Sequence, residues 1–193
     1  LRCEEQELTF NTLCQKLKEC IQIEAFNQDT LKTLNLYNST IGYNNAAGIL
    51  ADKNHFPGID IVKFGENISV IHKRATFDHI SILEVYEKTA EVFRDYYEYE
   101  EIQGTDRKRI EKIPEAAFRE AIANALIHRA WDVDSQIKVS MFDDRIEIVS
   151  PGGLPSGITE DEYLSGKLSV LRNRNLANVF YRLGFVEIFG TGI

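Results

Sequence analysis

Three residues in the stretch PEAAFREAIANALIHRAWD (114–132) could do chemistry together: Glu120, Asn124 and His128, spaced by four on an otherwise apolar run. Four helical residues advance the direction by about 40°, so the three would share an arc of about 80° on one helix. A carboxylate, an amide and an imidazole are costly on a buried face unless they are paired or front a polar cavity. The line therefore reads three ways: a satisfied core network, a stripe that meets solvent, or one wall of a ligand cavity. Spacing alone does not choose among them.

Two glycine turns follow. SPGGLP at 150–155 comes directly after a strand-like run, and GTGI at 190–193 follows a second, shorter one. Paired glycines let a backbone approach a ligand closely, or simply turn sharply. The order carries more than either turn: a Glu–Asn helix, two strands, a glycine turn, a variable segment, and a second glycine turn. Arg172 and Arg174, with Lys167, form a small basic patch in the variable segment. It reads first as a solvated helix start and second as a phosphate contact.

Periodicity supplies the elements that would position these residues. Residues 5–24 are amphipathic, with Leu8, Leu13, Leu17, Cys20 and Ile21 near one face. Asp29 is placed to cap a short helix, and NNAAGILADKN reads as another. GIDIVKFGE and NISVIHKRATF read as two strands around a Gly-Glu-Asn turn. Asp78 would cap a long helix through Tyr97, with Ile82, Leu83, Tyr86, Ala90, Phe93 and Tyr97 as its core stripe. YYEYEEI and RKRIEKI read as strands, and Pro114 suits the first position of the Glu120 helix. SQIKVSMF and RIEIVS alternate as strands joined by a tight turn at Asp143–Asp144. Thr159 would cap a short helix, RNRNLANVFYRLG a longer one ended by Gly184, and FVEIF a last strand. The expected class is α/β, of the α+β kind, with helices on one sheet face. A soft boundary is expected near residue 104, at QGTD.

Composition excludes several functions. With a formal net charge of −8, the chain as a whole is not an electrostatic DNA binder. No apolar run is long enough to span a bilayer, and no secretory signal opens the sequence. Three cysteines, Cys3, Cys14 and Cys20, lack metal-type spacing and read as reduced thiols of a cytoplasmic protein. The nearest approach to a P-loop, LSGKLS at 164–169, lacks the first glycine and has Leu168 where Ser or Thr is required, so a motor helicase is rejected. The start at Leu1 and the stop at FGTGI suggest a piece of a longer protein.

FREAIANALIHRAWD, FDDRIEIVSPGGLPSG and RNRNLANVFYRLGFVEIFGTGI together resemble a known family. They are similar to the ATP-binding GHKL (Bergerat) fold of gyrase B, Hsp90, histidine kinases and MutL. More closely, they resemble transcriptional regulators of the RecG-related ATP-dependent helicase family. The resemblance is strongest over 105–193, extends loosely through AAGILADKNHFPGIDIVKFGENI, and does not reach the region before residue 40. It implies a GHKL-like domain at 105–193, truncated at its second glycine box, behind a mixed helical and β region at 1–104. It implies ATP with Mg²⁺: Glu120 as general base, Asn124 as the magnesium ligand, and His128 beside the nucleotide. Gly152 and Gly153 would form the first glycine box, Gly190 and Gly192 would open the second, and residues 154–189 would be the lid. One amide oxygen plus phosphates and waters suffices for Mg²⁺. Ser150 stands where the ATPases place an adenine-reading aspartate, offering a neutral hydroxyl in place of a charged acceptor. Three functions stay open, in this order: a nucleotide-sensing module of a DNA-binding regulator, a nucleotide-free scaffold for homodimer or protein contact, and a slow ATPase. DNA would be bound by domains outside the chain.

Overall fold

A computed structural model describes residues 1–103, 106–154, 157, 159–164 and 170–186, with backbone alone at 100–103, 106–111, 163 and 164. The N-terminal third holds α1 (Asn11–Ile21), α2 (Gln28–Thr33), the two-residue pair β1 (Tyr37–Asn38) and β2 (Gly42–Tyr43), and α3 (Asn45–Leu50). Then come β3 (Ile59–Phe64), β4 (Ile71–Phe77), α4 (Ile82–Tyr97), and the hairpin β5 (Glu98–Gln103) and β6 (Asp106–Glu111). The candidate helix is α5 (Glu115–His128), followed by β7 (Ile137–Met141), β8 (Ile146–Val149), α6 (Glu160–Leu164) and α7 (Arg174–Arg182).

The main sheet has the order β4-β3-β7-β8. β3 and β7 are parallel, with Ile59 beside Ile137 and Ile61 beside Val139, and the two outer pairs are antiparallel. The sheet thus joins strands from both sides of residue 104. Period-two alternation divides its faces. Ile59, Ile61, Ile137, Val139 and Met141 are buried under the helices, with α4 lying against β3 and β4 and α5 against β8. Lys138, Glu147 and Val149 stay exposed on the other face. The expected stripe of α4 is buried throughout, and Phe93 stacks on Phe118 of α5 at 4.3 Å, which fixes the two helices together.

Several local expectations need correction. α1 starts at Asn11, later than the periodicity suggests, because Asp52 reaches across to accept from the Asn11 and Thr12 N–H groups at 2.8 and 2.9 Å. Cys20 and Ile21 are exposed at its end. α2 is capped by Asn27, in a reciprocal box with Thr30, and Asp29 falls in the first turn. Asp78 caps nothing: its carboxylate accepts from the Gly58 N–H at 2.7 Å and from the Gln136 side chain, so it pins β3 to the entry of β7. Pro114 is the residue before α5, not its first. Residues 185 and 186 are not in a strand, and 187–189 lie outside the described residues.

Candidate functional site

α5 is positioned from both ends. At its start, Glu115 pairs with Arg94 of α4 at 2.8 Å. Phe118, Ile122, Ala125 and Leu126 turn inward as its core face. The opposite face is open: Ala116, Ala117, Glu120, Ala121 and Asn124 are exposed, and His128 is half-buried at the end. The rest of the helix is therefore not wholly packed, and the polar line lies within a wider alanine-floored face. Neither Glu120 nor Asn124 has a side-chain hydrogen bond or ion pair among the described residues, which removes the satisfied-core-network reading for these two. Small alanines flanking a carboxylate and an amide leave room for a ligand to lie on the helix.

Glu120 also lines a cleft of about 380 Å³ with Tyr86, Ala116, Arg119 and the chain from Gly184 to Val186. Arg119 is fixed there, 4.7 Å over the Tyr86 ring and 3.3 Å from a Glu87 oxygen. Gly184, at φ +71, ends α7 as its left-handed residue. Its N–H and that of Phe185 return to the carbonyls of Tyr181 and Phe180, both at 2.9 Å, in a Schellman turn. The chain thereby turns back toward α5 just before Gly190 and Gly192, which lie outside the described residues.

The first glycine turn docks on the other end of α5. The Ser150 hydroxyl donates to the Ala125 carbonyl at 2.8 Å, and the Ala130 N–H donates to the Pro151 carbonyl at 2.9 Å. With its proton committed, the Ser150 hydroxyl is left with acceptor capacity only. Gly152 has φ +120, and a Cβ there would come within 2.8 Å of both the Ala130 Cβ and Arg172 Nη1. Gly153 differs: an added Cβ would meet nothing within 4 Å.

Two residues of the basic stretch prove structural. Arg172 donates to the Gly153 carbonyl, so it is no solvated helix start. Burial, and then the charge of Arg172, hold the His128 imidazole below its ordinary value, which keeps it neutral at pH 7. Asn173 donates to the carbonyls of Ile127 and Arg129 at 2.6 and 2.8 Å, satisfying the C-terminal acceptors of α5.

Arg129 is the residue that sequence reasoning misses. It is fully buried, donates to the carbonyls of Pro57, Gly58, Val133 and Ser135, and lies 4.5 Å over the Trp131 ring. An arginine at a helix end reads as a surface cation. The one signal against that is its neighbourhood, Ile127 before it and Ala130–Trp131 after it.

The donor set fits a hard cation only in part-ligated form. Among the described residues no group of three metal-ligating His, Cys, Asp or Glu side chains occurs. Asn124 offers one free amide oxygen, which suits a magnesium ion that keeps waters and phosphate oxygens as its other ligands. No described helix is long and apolar enough to cross a membrane.

Comparison with known proteins bears on the fold and on the C-terminal portion of the chain. Residues 134–193 match an ATPase family model described as "Putative ATP-dependent DNA helicase recG C-terminal". The match takes in the first glycine turn, Arg172 and α7, and leaves Glu120 and Asn124 just outside it. No curated protein matches the chain. The crystal structure of the DIP2311 protein from Corynebacterium diphtheriae is similar, with a TM-score of 0.76 and 23% identity over 92% of this chain and 37% of that one. That likeness establishes a shared fold, and the chain spans little more than a third of that protein. The C-terminal portion of the chain is thus similar to an ATPase-like domain of a RecG-related family, set on a mixed four-stranded sheet with its helices on one face.

Proposed function

We propose that the exposed face of α5 binds a magnesium–nucleotide, and that the chain is a nucleotide-sensing module of a DNA-binding regulator. The observation that carries the reading is the pairing of an unpartnered Glu120 and Asn124 on an alanine-floored helix face with a glycine turn docked at the end of the same helix. The ATPase-like match over 134–193 supports it. Asn124 would hold the ion, which supplies charge neutralisation for the phosphates. Ser150 would accept from an amino group of the base, and the neutral His128 would add a hydrogen-bonding group without charge. Glu120 can take a proton from a water, so slow hydrolysis belongs to the same reading. DNA contact is assigned to other parts of the protein, because a chain of net charge −8 lacks the basic surface that a DNA backbone needs.

Isothermal calorimetry with ATP, with and without Mg²⁺, tests the proposal on a form of the protein that continues through the second glycine turn. Binding should require Mg²⁺ in the wild type. Asn124→Ala should abolish the metal-dependent part. Glu120→Ala should retain binding and lose hydrolysis, because a general base acts on the water and not on the bound ground state. Absence of a nucleotide-dependent heat or melting shift in the wild type at millimolar Mg-ATP would sink the proposal. It would leave a scaffold for homodimer or protein contact, the reading favoured by the many bonds that fix the glycine turn to α5.

A further inference from the structure

A second cleft, of about 570 Å³, opens at the junction of α3, the α5–β7 connection and the start of α7. It contains none of Glu120, Asn124, His128, Ser150, Gly152 or Gly153. Part of its lining is apolar: Trp131, with Ala46, Ile49 and Leu171. The Trp131 ring is held in place, edge-on to Phe56 at 5.8 Å and beneath the Arg129 guanidinium. The lining also carries two guanidiniums, Arg172 and Arg174, against one acid, Asp132. Arg174 is exposed and has no hydrogen bond or ion pair among the described residues. Asn44 and Asn175 both donate to the Asn35 carbonyl, at 2.6 and 3.0 Å, tying the two sides of the cleft together across the chain.

We propose that this cleft binds a small organic oxyanion, a phosphate or carboxylate carried on a ring-sized apolar body. The volume lies within the range of small-molecule pockets. A fixed indole ring offers apolar contact area, and guanidiniums present planar forks of donors that match oxyanions. A neutral ligand would leave Arg174 unanswered, and a bare inorganic anion would leave the apolar lining wet. The inference does not draw on the nucleotide reading: it rests on Trp131 and Arg174, which contact none of the residues assigned to the nucleotide, although Arg172 borders both places through its bond to the Gly153 carbonyl.

Trp131 is the only tryptophan of the chain, so its fluorescence reports this cleft directly. The chain is titrated with phenyl phosphate, with benzoate, and with benzyl alcohol as the neutral control. A saturable change is expected with at least one anion at low millimolar concentration or below, and none with the alcohol. The tighter anion identifies the headgroup. Arg174→Ala should weaken that binding about tenfold, the worth of one charge-assisted contact, at an unchanged melting temperature. Equal responses to anion and alcohol, no saturable response to either anion, or full affinity in Arg174→Ala would each overturn the proposal.

Discussion

The two halves of α5 are built on opposite principles. At its C-terminal end the polar groups are largely committed: Asn173 takes the last carbonyls, Ala130 and Ala125 bond the glycine turn, and the two terminal nitrogens of Arg129 donate to four backbone oxygens from two segments. In the middle of the same helix Glu120 and Asn124 are exposed on a floor of alanines and bond nothing among the described residues. Groups that are bonded within the fold contribute stability, whereas groups left free on a rigid element are available to something else. The contrast separates scaffold from candidate site without appeal to residue type.

The sharpest way to break that contrast is at Arg129. Arg129→Ala removes hydrogen bonds to four backbone carbonyls together with the packing of a fully buried side chain, and should cost about 3 kcal/mol or more, read as a fall in the urea midpoint. A loss under about 1 kcal/mol, within the range of a single ordinary hydrogen bond, would mean the end is not the anchor it looks like. Next in size is the glycine pair. Gly152→Ala meets both a left-handed φ and two atoms at 2.8 Å, and should cost about 1–3 kcal/mol. Gly153→Ala, facing open space, should stay within about 0.5 kcal/mol. Equal effects at both positions would show that Gly152 is not under the constraint described.

A smaller effect tests a bonded helix end elsewhere. Asp52→Ala removes the cap of α1 and should cost about 1 kcal/mol by thermal melting. Burial would raise the Asp52 carboxyl, but the Thr12 and Asn11 N–H groups hold it below its ordinary value. The Arg74 side chain does the same for Asp60. Both groups have depressed folded values, so their stabilisation is present above the ordinary carboxylate range, about pH 4, and is lost as pH falls through the lower folded values. Melting temperature should therefore drop on the acid side of about pH 4, less so in Asp60→Asn. The smallest effects belong to the open face. Glu120→Ala and Asn124→Ala should each change stability by less than about 0.5 kcal/mol, with Ala the better helix former. A loss above about 1 kcal/mol in either would place them in the scaffold after all.

What the sequence discloses follows the range of the interaction involved. The α4 stripe and the alternation of β7 and β8 are legible because one neighbouring layer imposes a single period on each. Asp78 is not, because its partners, the Gly58 N–H and Gln136, lie far away in sequence, and a carboxylate before a helix looks like a cap. Asn27 beats Asp29 as the cap of α2 for a local reason: the chain enters the helix at 28, which spacing alone does not specify. In the candidate site the Glu120–Asn124 line is visible from spacing, but its exposure is not. Buried and exposed alanines read alike, and only packing shows that Ala116, Ala117 and Ala121 face outward while Ala123 and Ala125 do not. Arg172 and Asn173 are visible only as a basic stretch, because their acceptors lie on the glycine turn and on α5.

The parallel pairing of β3 with β7 has a consequence for the order in which the molecule can be assembled. Ile59 cannot find Ile137 until β4, α4, the β5–β6 hairpin and α5 have all left the ribosome. Until then β3 has a partner on one side only, through β4, and offers a bare hydrogen-bonding edge rich in isoleucine. Loop closure across so long an intervening stretch is slow. Nascent chains stalled before residue 137 should therefore be captured by holdase chaperones or aggregate, and release should coincide with emergence of β7.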